Sequence, residues 1–322
     1  MAKRKSRKGR SGQLGIVAII IALVVGFTVL TTAQERYDLG LPDLTLPALG
    51  EVLGLNGAAE PNAPVLPEDS VSVHFIDVGQ GDSILILAPE RTVLIDGGDN
   101  GQGPTVLRYL SEQGVYEIDI LIATHAHADH IGGLIEVVNT LPIGMVIMPE
   151  VPEEIASTTR TYENFLLALL EHDLRITPAA PGQVYYLGGG ARLSILTPLR
   201  EYDNINDMGV VSRLEFGETS FLFTGDIERA AEHDLATRGG IRSNVLQVAH
   251  HGSRTSTTQI FLDSVAPSIA VISCGLDNRH GHPHRTVVER LESAGAHILR
   301  TDFDGSVMLV SDGSSIGIMT ER

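Results

Sequence analysis

A short stretch of the chain carries four side chains of the types that bind metal ions. Residues 124–133 read THAHADHIGG, and the candidate ligands in this stretch are His125, His127, Asp129 and His130. Imidazole and carboxylate ligands in this combination suit Zn²⁺, with Mn²⁺ or iron as substitutes. One histidine alone would be an ordinary polar loop residue, whereas four ligands within six residues indicate a metal site. Divalent ions at such a site support hydrolysis.

The apolar run at residues 118–123 predicts a buried strand directly before this stretch, so the histidines lie on a loop at a strand end. A continued strand would put His125, His127 and Asp129 on one face and His130 on the other. A loop can instead turn the first two histidines toward one ion and the Asp-His pair toward a second. The Gly-Gly pair that follows then allows the backbone to turn into a helix.

The His-x-His-x-Asp-His pattern resembles the signature of the metallo-β-lactamase superfamily, whose fold is an αββα sandwich with one or two metal ions along one sheet edge. Further motifs narrow the resemblance to the metallo-β-lactamase-like domain of ComEC-type competence proteins. This resemblance covers residues 71 to about 311. The motifs, in chain order, are FIDVGQGDS at 75–83, FTGD at 223–226, VAHHGS at 248–253, GHP at 281–283 and RTD at 300–302.

The resemblance implies two divalent ions, Zn²⁺ in preference to Mn²⁺, with ligands from six residues: His125, His127, Asp129, His130, Asp226 and His250. Asp129 is also assigned a catalytic role. Asp226 follows an apolar strand and would bridge the ions, although it could also cap the next helix. The family places an aspartate, here Asp96, behind the histidine loop; alone, its Asp-Gly sequence would predict only a turn. Asp77 and Asn206 are likewise expected next to the ligands.

Two adjacent histidines follow the predicted strand at residues 245–249. Because neighbours on a strand point to opposite sides, only one is expected to bind an ion. We assign that role to His250, and a catalytic or supporting role to His251. The resemblance puts His282 in the wall of the site, where it or His251 would protonate the leaving alkoxide. The histidines at 280 and 284 are expected to be exposed loop residues.

The metal site that His125, His127 and Asp226 would form lacks a histidine that most superfamily members have. His172 is the only histidine between His130 and Asp226, and its place near a helix end predicts a surface residue. Water or a side chain of the turn at residues 204–209, Asn206 or Asp207, is expected to complete the site.

The N-terminal segment of the chain predicts export. Residues 1–10 carry six basic side chains, and residues 15–32 carry no charge, which is typical of a single-pass signal anchor with an extracellular domain. A cleaved signal peptide and a secreted protein are the alternative. The segment is assigned to residues 1–33, a proline-rich linker to 34–70, and one α/β domain behind them to 71–322. Interleaved helices and strands predict the four-layer αββα sandwich for this domain.

Composition limits the partners. The formal charge is −17, and subtracting the six basic residues of the head leaves −23 for the remainder, which opposes loose binding of nucleic acid. Cys274 is the only cysteine, so an intrachain disulfide is excluded.

Three functions remain open. The first is an exported metal-dependent phosphodiesterase or nuclease, acting on DNA or a cell-envelope phosphodiester through a metal-activated hydroxide. The second is a hydrolase of another ester or amide, such as a lactone or β-lactam. The third is a noncatalytic metal-stabilised binding module. The oligomeric state stays undetermined.

Overall fold

The computed structural model describes residues 70–322. The predicted membrane segment at 1–33 and all but the last residue of the predicted linker at 34–70 lie outside the described residues, so both remain predictions. Within residues 70–322, no helix is long and apolar enough to cross a membrane.

The described residues form fifteen strands. In chain order these are β1 (Val71–Phe75), β2 (Ile84–Leu87), β3 (Thr92–Ile95), β4 (Ile118–Ile122), β5 (Ile143–Met148), β6 (Ile176–Pro178), β7 (Val184–Gly188), β8 (Ala191–Ile195), β9 (Ser212–Phe216), β10 (Thr219–Phe223), β11 (Val245–Gln247), β12 (Ile269–Ile272), β13 (His297–Arg300), β14 (Val307–Ser311) and β15 (Ile316–Thr320). One sheet has the order β15-β14-β1-β2-β3-β4-β5-β6, and the other has the order β13-β12-β11-β10-β9-β8-β7.

Eight α-helices lie between these strands in the described part of the chain. They are α1 (Gly103–Glu112), α2 (Ala128–Ile131), α3 (Leu134–Thr140), α4 (Arg160–Glu171), α5 (Arg229–Arg238), α6 (Gln259–Val265), α7 (Arg285–Ser293) and α8 (Thr301–Asp304). Helix α1 has proline in its first turn, and Thr159 caps α4 by accepting from the backbone N–H of Tyr162. Apolar side chains four apart, such as Val106 and Leu110 of α1, bury one face of each longer helix.

Three apolar layers hold the domain together. The central layer lies between the sheets and includes Phe75 of β1 and Phe223 of β10, whose ring centroids are 6.4 Å apart. A second layer joins α1, α3 and α4 to the outer face of the first sheet, where Phe165 is fully buried. A third joins α5, α6 and α7 to the second sheet, around Phe261. The predicted αββα sandwich is therefore confirmed.

The functional loops lie together because each sheet contains parallel strands. Strands β3 to β6 are parallel in the first sheet, and β10 to β13 are parallel in the second. The carboxyl ends of parallel strands meet at one edge, where ligands usually bind. A backbone hydrogen bond of 3.0 Å from Val210 N to Thr124 O joins the two edges.

Two helices follow the histidine loop, and Gly132 and Gly133 separate the first, α2, from the second, α3. The pair forms the turn into α3, as predicted, but both glycines have helical φ angles, −60° and −75°, so the turn does not need the conformational freedom of glycine. They are needed for close approach instead, because a Cβ atom on Gly133 would collide with the carbonyl oxygen of Gly97. This contact packs the histidine loop against the Asp96-Gly97 turn.

Candidate metal centre

Asp226, three residues beyond the end of β10, lies at the centre of two groups of possible ligands. One group contains Asp82, His130, Asp226 and His251, and the other contains His125, His127 and Asp226. Within each group the donor atoms all lie within 4.8 Å of one another. The predicted bridging residue is therefore the residue that the two groups share.

Asp226 Oδ1 faces the first group. His130 Nε2 is 3.2 Å from this oxygen, and His251 Nε2 is 3.4 Å from it. Asp129 reaches the same group, because its Oδ2 lies 3.5 Å from His251 Nε2. A cation on this side would therefore be surrounded by two imidazoles and up to three carboxylates, a donor set that suits Zn²⁺ or Mn²⁺.

Asp226 Oδ2 faces the second group. His125 Nε2 lies 3.7 Å from this oxygen and 2.9 Å from His127 Nδ1. As predicted from the loop, the first two histidines and the Asp-His pair are directed to different sides of the cluster.

The outer hydrogen bonds determine which ring nitrogens carry protons. His130 Nδ1 lies 2.7 Å from Asp96 Oδ2, and His251 Nδ1 lies 3.0 Å from the carbonyl oxygen of Ser273. Both partners can only accept, so each Nδ1 carries a proton and each neutral ring has its lone pair on Nε2. These lone pairs point at the carboxylate of Asp226.

Acceptor atoms that face one another without donors need cations between them. Four buried atoms of the cluster have no hydrogen-bond partner: Asp82 Oδ1, His130 Nε2, Asp226 Oδ1 and His251 Nε2. Buried polar atoms are nearly always paired, so four orphans in one place indicate a binding site for positive charge. The residues present therefore fit a pair of divalent cations.

The shifted pKa values of the histidines and of Asp226 also indicate that the cluster binds positive charge. With protons as the only cations, burial opposes a charge on His251, yet Asp226 and Asp82 raise its pKa to about 9. Burial likewise opposes a charge on His130, but Asp226 and Asp96 raise its pKa well above the usual value. The histidines in turn hold the pKa of buried Asp226 well below its usual range. Divalent ions would displace these protons.

Asp96 supports the histidine loop from behind. Its Oδ1 accepts from Thr124 N at 2.8 Å, and its Oδ2 accepts from Thr124 Oγ1 at 2.6 Å as well as from His130. Thr124 Oγ1 can then accept from His125 Nδ1, 3.1 Å away. One buried carboxylate thus orients two rings of the cluster, as carboxylates behind metal-binding histidines commonly do. Asp96 has the position that we expected for it.

Asp82 and Gln247 belong to the centre and were not assigned to it from the sequence. Asp82 is fully buried, and burial raises its pKa to about 6. Its Oδ2 accepts from Gln247 Nε2 at 2.6 Å, while Gln247 Oε1 accepts from Thr224 N at 2.7 Å. Gly81 makes this placement possible, since a Cβ atom there would collide with the carbonyl oxygen of Asp129. The sequence signal that could have identified Asp82 is the GQGDS motif at residues 79–83, in which the aspartate directly follows Gly81.

The strand argument for the two adjacent histidines is wrong. β11 ends at Gln247, and His250 and His251 have left-handed φ angles of 53° and 54°. Alternation does not apply to such residues, and both rings reach Asp226, with His250 Nε2 3.5 Å from Oδ2. His251 is the buried member of the pair and belongs to the first ligand group, whereas His250 belongs to neither group.

Two residues expected beside the ligands have other contacts. The carboxylate of Asp77 accepts from Gly79 N and, at 3.0 Å, from Arg322, so its described contacts lie outside the cluster. Asn206 donates to Glu228 Oε1 at 3.3 Å rather than facing Asp226. The carboxylate of Asp207 is also occupied, because its Oδ1 accepts from the backbone at the start of α5.

His172 and His282, which were not assigned as ligands from the sequence, lie in very different places. His172 lies at the end of α4, exposed, with Nε2 3.1 Å from Asn139 Oδ1, as expected for a surface residue. His282 lies beside the centre, with its ring centroid 5.8 Å from that of His250 and 6.2 Å from that of His251. Its Nδ1 is buried without a partner, and burial lowers its pKa to about 4.

Comparison with known proteins shows to which family this chain is related. The sequence model of the metallo-beta-lactamase superfamily matches residues 76–276. ComE operon protein 3 of Bacillus subtilis is 32% identical over 255 residues, which cover 73% of this chain and 32% of that protein. Competence protein ComA of Neisseria gonorrhoeae is 31% identical over 261 residues, covering 80% of this chain and 34% of that protein. The resemblance to ComEC-type competence proteins is therefore confirmed.

The chain spans about a third of the length of these curated relatives. Among solved structures, a variant of the CmlA beta-hydroxylase is similar, with a TM-score of 0.50 and 14% identity over 83% of this chain and 60% of that chain. At that identity the likeness shows the fold alone.

Proposed function

The chain belongs to the metallo-β-lactamase superfamily, and from this premise we propose that it is a metal-dependent phosphodiesterase. The observation that supports the proposal most strongly is the set of buried acceptor atoms around Asp226 that have no hydrogen-bond partner and that cations would satisfy. Two divalent ions held there would activate a water molecule for attack and draw charge from the oxygens of an ester. The candidate ligands on this chain are the six residues of the two groups together with Asp129.

The similarity to competence proteins favours a phosphodiester as the substrate, with DNA or a cell-envelope phosphodiester as candidates. His282 is the residue that we assign to the leaving group. His251 is less suited to this role than the sequence suggested, because its Nδ1 donates to Ser273 and its Nε2 faces two carboxylates. His282 has a ring nitrogen without a partner beside the centre, where it could exchange a proton with a leaving oxygen.

The experiment measures metal content and then hydrolysis by the full chain. After loading with Zn²⁺ or Mn²⁺, the substrates are bis(p-nitrophenyl) phosphate, single-stranded DNA, nitrocefin and a lactone. We expect turnover of the phosphodiesters that is lost in Asp226→Ala. Turnover of nitrocefin or the lactone alone would instead assign the protein to another class of ester or amide hydrolase. Bound metal without any turnover would indicate a binding module.

We also propose that residues 1–33 anchor the protein in a membrane with the domain outside. The proposal rests on the six basic residues of the head and the uncharged run that follows them. Protease added to intact cells should then digest the domain. Protection of the domain in intact cells, together with its recovery in the soluble cytoplasmic fraction, would overturn this location.

A further inference from the structure

We propose that His250 is the third histidine of the ion on the Oδ2 side of Asp226, and that Glu228 is the residue that positions it. The inference rests on the proposed metal dependence, but not on any particular substrate. It assigns the two adjacent histidines to different ions, and it gives a role in the centre to Glu228, which no motif indicated.

The two oxygens of Asp226 divide the surrounding histidines into pairs. His130 and His251 approach Oδ1 with their Nε2 atoms, whereas His125 and His250 approach Oδ2, at 3.7 and 3.5 Å. The left-handed backbone at both adjacent histidines produces this division, since their ring planes are 74° apart and their centroids 6.2 Å apart. One dipeptide can therefore supply a ligand to each side of the shared carboxylate.

Glu228 determines where His250 carries its proton. His250 Nδ1 is hydrogen-bonded to Thr255 Oγ1 at 3.4 Å and lies 3.3 Å from Glu228 Oε1. Glu228 Oε1 accepts from Thr255 Oγ1 at 3.1 Å and from Asn206 Nδ2 at 3.3 Å. Because the Thr255 hydroxyl donates its proton to Glu228, it can only accept from His250, so the proton of the neutral ring lies on Nδ1 and the lone pair lies on Nε2. This lone pair faces the acceptor atom Asp226 Oδ2, and a cation between the two satisfies both.

Metal-binding histidines usually donate their distal N–H to a supporting group, often a carboxylate, and here the Thr255 hydroxyl lies between the ring and the carboxylate of Glu228. His130 and Asp96 form the corresponding pair on the Oδ1 side. Asn206 therefore acts through Glu228 rather than as a direct ligand. His250 lies just outside the compact group of His125, His127 and Asp226, and its side chain is 22% exposed. The ion would draw this ring inward to complete its coordination.

The site would then not be short of a histidine. In most superfamily members a histidine from the interval that corresponds to residues 130–226 binds this ion. Here the third imidazole would come from the loop after β11 instead. His172, which lies in the interval, is hydrogen-bonded to Asn139 at the surface. His172→Ala is therefore a matched control for His250→Ala.

The test measures metal affinity and cobalt spectra in the full chain, independently of hydrolysis. The variants are His250→Ala, Glu228→Ala, Glu228→Gln and the His172→Ala control, each checked for folding by circular dichroism in the presence of chelator. We expect His250→Ala to weaken one of two bound Zn²⁺ ions and to change the visible absorbance of bound Co²⁺. Glu228→Ala should weaken the same ion about 10- to 100-fold. Glu228→Gln should lose less, because the amide oxygen can still accept from the Thr255 hydroxyl that orients the ring.

Wild-type affinity for both ions and an unchanged Co²⁺ spectrum in His250→Ala would overturn the inference, as would equal losses in Glu228→Gln and Glu228→Ala. The result is separable from the proposed function. If the variants weaken one ion as expected but the wild type cleaves no phosphodiester, the substrate assignment fails and the role of His250 stands.

Discussion

Buried histidines occur in two regions of this domain, and their ring nitrogens have opposite surroundings. His74, where β1 packs against α1, has one ring nitrogen 2.8 Å from Ser72 Oγ and the other 3.0 Å from Tyr109 OH. In the aspartate cluster, His130 and His251 are buried equally deeply, but the Nε2 of each has no hydrogen-bond partner.

The difference shows which observation identifies a functional histidine. Burial lowers the pKa of His74 to about 4, so its ring stays neutral and two hydroxyl groups satisfy it. In the cluster, carboxylates overcome the same burial and raise the pKa of His130 and His251. Burial is common to both regions. An unpaired nitrogen facing a carboxylate is what indicates a missing cation.

The largest expected effect comes from removing the shared carboxylate. Because Asp226 faces both ligand groups, Asp226→Ala should lose most of both ions, whereas His130→Ala should mainly lose one. The metal content of the purified variants, measured by mass spectrometry of the elements, tests this difference. Equal metal content in the two variants would contradict the bridging role.

Chelation should separate the two regions by their effect on stability. An ion present at 100 times its dissociation constant adds about 2.7 kcal/mol to the free energy of unfolding. Chelator should therefore lower the melting temperature of the wild type and of His74→Gln by similar amounts. It should change Asp226→Ala little. A wild type insensitive to chelator would mean that the orphaned atoms of the cluster are satisfied without metal.

Acid should destabilise the region around His74 in a pH range set by its pKa. The folded pKa of about 4 lies below the unfolded value of 6.5, so this stability is present above pH 6.5 and is lost as the pH falls toward 4. The loss amounts to roughly 3 kcal/mol at most. Urea titrations with chelator at several pH values should show it in the wild type relative to His74→Gln, which does not titrate. A pH-independent difference would contradict it.

The smallest effect is expected at the surface. His172 is exposed, and its one described contact is with Asn139. His172→Ala should change the free energy of unfolding by less than about 0.5 kcal/mol and leave the metal content unchanged. Loss of an ion in this variant, with the fold intact, would place His172 among the ligands.

Much of the fold and part of the centre were predictable because their signals are local. The apolar run before residue 124 predicts a strand, and β4 ends at Ile122, so the histidine loop lies where it was expected. The apolar strand before Asp226 likewise predicts a carboxylate at a sheet edge, and β10 ends at Phe223. Alternating helices and strands were sufficient for the layered sandwich.

The directions of side chains were not predictable, because they depend on backbone angles and on residues distant in the sequence. The left-handed angles at His250 and His251 removed the alternation on which their assignment was based. Asp82 is held by Gln247, 165 positions away along the chain, and the partner of Asp77 is Arg322 at a separation of 245.

The sequence by itself therefore determined that this protein has a set of metal-binding side chains at the strand ends of an αββα sandwich. Only the tertiary structure decided which oxygen of Asp226 each histidine faces. The physical reason is that a ligand's direction is set by the hydrogen bond on the far side of its ring. Those bonds come from Asp96, Ser273 and Thr255, which in turn donates to Glu228, and the rings that they orient face Asp226 from both sheets only when the sheets pack together.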